Sequence, residues 1–183
     1  MNKIEAREKL LNMRRGLTSK YMEDESTKVF ERLMSIEAFK TAKNVMVYSN
    51  FDNEIKTAVI TGWLMYQGIH TFLPTVNQKT MYAANIKSAV LELSKFGVPQ
   101  PAFKNAETIH PSEIDVIIVP GVAFDKNKHR VGFGCGYYDT FLKEAVHAKK
   151  IALAYDFQIV EKIDAEEHDV QMDMIVTPDE IIK

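Results

Sequence analysis

The feature that most constrains this chain is a set of short, apolar runs too brief to be helices. Val45-Met46-Val47-Tyr48 and Val116-Ile117-Ile118-Val119 each pass four residues without a charged break, the pattern of a strand buried on both faces. Residues 70–73, 151–154 and 174–176 repeat the theme, Pro74 is expected to stop the first of these, and residues 81–85 offer a further strand. Stretches with helical signals lie between and before them. Residues 2–16 set Ile4, Leu10, Leu11 and Met13 among charges and end at Gly16. A second helix, capped by Thr18 or Ser19, carries Tyr21, Val29, Phe30, Leu33 and Met34; residues 57–67 and 137–148 supply two more. Strands alternating with helices predict a mostly parallel sheet with helices on both faces. Residues 96–101, with Gly97, Pro99 and Pro101, read as a turn-rich connector.

A chain of 183 residues, 46% hydrophobic, suits one core and one domain. Its 23 Lys+Arg and 25 Asp+Glu give a net charge of -2, so no broad basic field or aromatic-studded basic stripe draws it to nucleic acid or an anionic membrane. A single cysteine cannot form an internal disulfide. With no apolar leader and no run near the ~18 residues of a membrane span, a cytoplasmic protein is expected.

Polar, glycine-rich sequence follows the strongest strand: Pro120-Gly121-Val122-Ala123-Phe124-Asp125, then Arg130-Val131-Gly132-Phe133-Gly134-Cys135-Gly136-Tyr137-Tyr138-Asp139. Ligands of open α/β sheets bind beyond the carboxyl ends of strands, where this segment falls. Glycine at every second position lets the backbone approach an anion closely. Arg130 adds a planar donor fork, and Asp139 a carboxylate suited to Mg²⁺. Neither the GxxxxGK[ST] loop nor the complete GxGxxG fingerprint is present.

These two segments, with Glu167-His168-Asp169, Met172-Asp173, Lys3, Arg7, Asn53-Glu54-Ile55-Lys56-Thr57, Leu73-Pro74 and Pro99-Gln100-Pro101, resemble the 5-formyltetrahydrofolate cyclo-ligase family, also called methenyltetrahydrofolate synthetases. The likeness extends over essentially the whole chain. It implies a three-layer α/β/α, doubly wound, Rossmann-like fold and an ATP-dependent, Mg²⁺-requiring conversion of 5-formyltetrahydrofolate to 5,10-methenyltetrahydrofolate. It also implies that ATP phosphorylates the formyl oxygen, the second folate nitrogen attacks the activated carbon, and phosphate leaves. By the same resemblance, Lys3 and Arg7 meet ATP phosphates, and Arg130, Val131, Gly132, Phe133, Gly134, Cys135, Gly136, Tyr137 and Tyr138 wrap the triphosphate. Arg130 and Tyr137 act at the reacting groups, Asp139 and Asp173 hold Mg²⁺, and Ser49, Glu54, Phe96 and Tyr137 line the folate pocket. The partners so implied are a reduced folate and ATP; a monomer is expected.

Two positions depart from the family pattern. Cys135 stands where Gly or Lys is usual, and Lys128 where Gly commonly precedes the loop arginine. Cys135 has no evident base beside it and is expected to be dispensable as a nucleophile. Two other functions share this sequence pattern: a paralogue acting on another amide-like substrate, and a non-catalytic nucleotide- or folate-binding module.

Overall fold

The computed structural model describes residues 2–95 and 97–183. The chain runs α1 (Lys3–Arg15), α2 (Ser19–Leu33), α3 (Glu37–Lys40), β1 (Asn44–Met46), α4 (Ala58–Tyr66), β2 (His70–Asn77), β3 (Thr80–Asn85), β4 (Leu91–Leu93), β5 (Pro99–Pro101), β6 (Thr108–Ile109), β7 (Val116–Val119), β8 (Ala123–Asp125), β9 (Arg130–Val131), α5 (Tyr137–Glu144), β10 (Lys149–Leu153), β11 (Ile159–Val160), β12 (Met174–Val176) and β13 (Ile181–Ile182). The main sheet has the order β13-β12-β10-β7-β1-β2-β3-β6. Its central strands β12, β10, β7, β1 and β2 are parallel, while β13, β3 and β6 pair antiparallel at the two ends.

The apolar runs fall on the centre of the sheet because only there are both faces covered. Val45, Val47, Val116, Ile118, Ile151 and Leu153 pack with Val29, Leu33, Phe39, Ile60 and Leu64 of α2, α3 and α4. Met46, Ile117, Val119 and Ala152 turn to the opposite face, against Phe124, Phe141 and Leu142. The alternation along β7 divides its four buried residues between the two cores, giving the three-layer, doubly wound arrangement.

Helix ends follow their sequence signals. Asn2 caps α1 by accepting from Ile4 N and Glu5 N, Thr18 caps α2 by accepting from Tyr21 N, and Gly68 at φ 74 follows α4. Helix α5 is shorter than expected, because Ala145 leaves the helical region with ψ 57 and residues 145–148 turn into β10.

Pro74 does not stop β2. Phe72 O accepts from Val47 N, so residues 72 and 74 turn their backbone polar groups toward β1, whose pairing ends at Phe72. The proline ring nitrogen therefore lies on the β1 side past the last paired residue, where the ladder has already ended. The expected connector at 96–101 instead contributes β5 to an antiparallel hairpin with β4, tied to β2 by Thr75 Oγ1 donating to Pro101 O at 2.7 Å.

The order of the sheet reverses between β1 and β7: the chain leaves β1 for β2 on one side and later returns to β7 on the other. The segments after these strands, residues 47–57 and 120–136, diverge at that point and open a crevice.

Candidate functional site

The crevice is a cleft of about 1220 Å³ bounded by α1, the segment after β1, the β4–β5 hairpin and the whole of residues 130–139. A drug-sized ligand commonly occupies ~300–1,000 Å³, so this volume has room for more than one small molecule.

The glycine-rich segment is shaped by separate needs at its three glycines. Gly134 and Gly136 have φ 98 and φ 71, in the left-handed region glycine enters freely. Gly132 is instead a point of close approach, where an added Cβ would lie 2.6 Å from Arg130 Nη1. Arg130 is almost fully buried and donates to Asp139 Oδ1 at 2.9 Å and to Pro120 O at 3.4 Å, with its guanidinium 5.7 Å from the Tyr138 ring centroid. Gly136 caps α5 without a side-chain bond, so the first-turn amides keep their capacity for an anion.

Helix α1 brings two cations to the same wall. Arg7 Nε donates to Gly132 O at 2.7 Å, and Lys3 Nζ donates to Glu166 Oε1 and Asp169 Oδ1, both at 2.8 Å. Burial alone would lower the Lys3 pKa, but the hydrogen bonds and charges of Asp169 and Glu166 outweigh it and raise the value.

On the segment after β1, Asp52 and Asn53 have φ 47 and 58, and Glu54 N donates to Phe51 O at 3.0 Å. This tight turn folds the Glu54 side chain inward, where it is 4% exposed. Glu54 Oε2 accepts from Phe51 N at 3.1 Å, while Oε1 is buried without a hydrogen-bond partner among the described residues. Burial, partly opposed by Arg14, pushes its pKa from 4.5 to about 7. The hydroxyl of Tyr138 and Nε of Arg130 are likewise buried and unpartnered. Unsatisfied polar atoms in a cleft wall are natural places for a ligand to bond.

The match to known proteins spans the molecule: the model of the 5-formyltetrahydrofolate cyclo-ligase family covers residues 1–178. The chain belongs to the 5-formyltetrahydrofolate cyclo-ligase family. As a member of this ligase family it is an enzyme. It is 28% identical to the 5-formyltetrahydrofolate cyclo-ligase of Escherichia coli K12 over 92% of this chain and 96% of that protein. The structure resembles the 5,10-methenyltetrahydrofolate synthetase of Aquifex aeolicus with TM-score 0.88 and 32% identity, covering 99% of this chain and 92% of that one. For the Mycoplasma pneumoniae 5,10-methenyltetrahydrofolate synthetase the TM-score is 0.80 at 25% identity, covering 97% and 99%.

Lys3, Arg7, Ser49, Glu54 and residues 130–139 all line this cleft, whereas Phe96 lies outside the described residues. The expected pairing of Asp139 with Asp173 is corrected. Asp173 is not in the cleft wall; its Oδ2 accepts from Lys150 N at 2.8 Å, level with the start of β10. The physical reason is directional, since a residue just before a parallel strand sits at the amino edge of the sheet and the cleft opens at the carboxyl edge. His168 reaches the cleft near Glu166 and Asp169 but remains 60% exposed.

The two departures from the family pattern differ in consequence. Cys135 is exposed on the loop. Lys128 adopts φ 67 in the β8–β9 turn, with its amide donating to Asp125 O and its carbonyl accepting from Met172 N, a left-handed backbone that a glycine would enter more easily. Sequence reasoning missed Arg14, which is fully buried beside Glu54. Its signal was weak: an arginine in a charged helix gives no hint that its side chain turns inward.

Proposed function

We propose that this enzyme cyclises 5-formyltetrahydrofolate to 5,10-methenyltetrahydrofolate at the expense of ATP, with the whole chain acting as one catalytic domain on small molecules. The observation that carries the reading is that one cleft gathers two kinds of group. Lys3, Arg7, Arg130 and the uncapped amino end of α5 supply donors suited to a triphosphate, and the same lining includes the buried Glu54 with an oxygen that has no hydrogen-bond partner among the described residues. A carboxylate accepting two hydrogen bonds suits the amino-pyrimidine edge of a pterin.

In this reading the formyl oxygen attacks the γ-phosphorus and the bond to the ADP oxygen breaks. The formyl carbon is then an activated phosphate ester, the second folate nitrogen attacks it, that nitrogen loses its proton, and phosphate departs with the former formyl oxygen. An amide-like oxygen is a poor leaving group until phosphorylated. The protein's work is therefore positioning and charge neutralisation. Arg130, held by Asp139 and Pro120 O, presents its fork to the transferring phosphate, and Tyr137 borders the same space.

Among the described residues no cluster of three or more His, Cys, Asp or Glu side chains forms an all-protein metal cage. Mg²⁺ is usually held by one or two carboxylates together with substrate phosphates, and Asp139 fits that manner of binding. Bound there with the nucleotide, the ion would neutralise phosphate charge during transfer.

The deciding assay mixes protein, 5-formyltetrahydrofolate, ATP and Mg²⁺ and follows the near-ultraviolet absorbance of the methenyl product. Product that requires all three additions is expected. A folded protein that binds ATP and forms none would overturn the substrate assignment in favour of a paralogous reaction or a binding-only role.

A further inference from the structure

Arg14 is the largest fully buried side chain among the described residues, and an interior cation needs a reason because its desolvation is costly. Its guanidinium joins four segments. Nη1 donates to Gly121 O at 3.3 Å beyond the end of β7, Nη2 donates to Asp52 Oδ2 at 3.3 Å, and Nη1 lies 3.9 Å from Glu54 Oε1. Phe133 of the glycine-rich loop covers it, with the ring centroid 5.4 Å from Cζ, and packs in turn on Phe51 at 4.8 Å. Arg14 Nε and Glu54 Oε1 are both buried without a hydrogen-bond partner among the described residues. No expected nucleotide or folate contact uses Arg14.

We propose that Arg14 is the positioning residue of the folate pocket, orienting the Glu54 carboxyl for the pterin and favouring its ionised form while Phe133 packs over the guanidinium. This rests on the reading of Glu54 as the folate-contacting group. The groups that face Glu54 are Arg14 from α1, Asp52 from its own turn, Tyr48 from the end of β1, Tyr138 from α5 and Tyr155 beyond β10. Burial raises the pKa values of all three tyrosines, so they stay neutral across the physiological range. The charge state of Glu54 near pH 7 is thus governed by its burial, which disfavours the carboxylate, by Arg14 and the Phe51 N–H, which favour it, and by Asp52, which adds a smaller opposing charge. The glycine-rich loop reaches this balance through Phe133.

The test is a carbon-13 NMR titration of the glutamate carboxyls in the ligand-free protein, with Glu54→Gln assigning the signal, alongside the pH dependence of kcat/KM for 5-formyltetrahydrofolate. Arg14→Gln is expected to raise the Glu54 midpoint by about one unit or more and to carry the acid limb of kcat/KM with it, a loss of about tenfold on that limb. Arg14→Lys, which keeps the charge, should restore most of the midpoint, and KM for ATP should stay within about threefold of wild type because the phosphate wall is untouched. A folded Arg14→Gln protein whose midpoint and acid limb do not move overturns the proposal. If that variant does not fold, Asp52→Asn decides: the midpoint is expected to fall once the competing carboxylate is gone, and an unmoved midpoint refutes the role. A wild type that turns over no folate overturns the substrate reading alone, because the titration still decides the Arg14–Glu54 relation.

Discussion

Gly132 and Arg130 share one space: a Cβ on Gly132 would sit 2.6 Å from Arg130 Nη1. Arg130 cannot yield without loosening its bonds to Asp139 and Pro120 O. Since a side-chain tip rather than backbone is displaced, Gly132→Ala should cost little stability, about 1 kcal/mol or less. It should nevertheless reduce kcat/KM for ATP by about a hundredfold, because a displaced fork no longer meets the phosphate. Thermal melts and steady-state kinetics on the same preparation check both halves.

Lys128→Gly should stabilise the protein by roughly 0.5–1 kcal/mol, the net of relieving a left-handed lysine at φ 67 and loosening the unfolded chain. The urea midpoint is expected to rise with an unchanged slope. A fall would mean that the side chain makes a contact worth more than the backbone relief.

Asp139 and Asp173 should separate cleanly on mutation. Asp139→Ala is expected to abolish the Mg²⁺-dependent product signal. Asp173→Ala should leave the Mg²⁺ concentration dependence near wild type and lower stability by about 1 kcal/mol, reflecting a partly exposed bond to Lys150 N. A Mg²⁺ titration of activity in each variant distinguishes these outcomes.

Glu54 gives the fold a pH dependence whose sign follows from its raised pKa. With a folded value of about 7 against the ordinary 4.5, the folded state holds the proton over that window and the unfolded state does not. Stability is therefore fullest below about pH 4.5 as far as this group is concerned and declines as pH climbs toward 7, by roughly 3 kcal/mol in all. Glu54→Gln should remove that decline from denaturation curves recorded between pH 5 and 8.

The parallel core was legible because strands such as Val116-Ile117-Ile118-Val119 must be apolar on both sides, a demand that leaves little choice of residue. Helix ends were legible for a local reason: Thr18 and Gly68 do their work within a few residues. Pro74 misled because its effect depends on which neighbour lies on the side of its ring nitrogen, and β1 happens to end there. The β4–β5 hairpin was missed since Pro99 and Pro101 read as breakers until Leu91 and Leu93 are seen paired with them.

The sequence by itself determined the alternation of buried strands and helices and the glycine-rich segment beyond the strongest strand, because each depends on residue type and near neighbours. Only the tertiary structure decided which side chains share a site. It put Asp173 at the amino edge of the sheet, turned Arg14 inward against Glu54, and required the left-handed backbone at Lys128. Strand direction, helix rotation and backbone hand are fixed by packing between distant segments, and local composition carries no record of them.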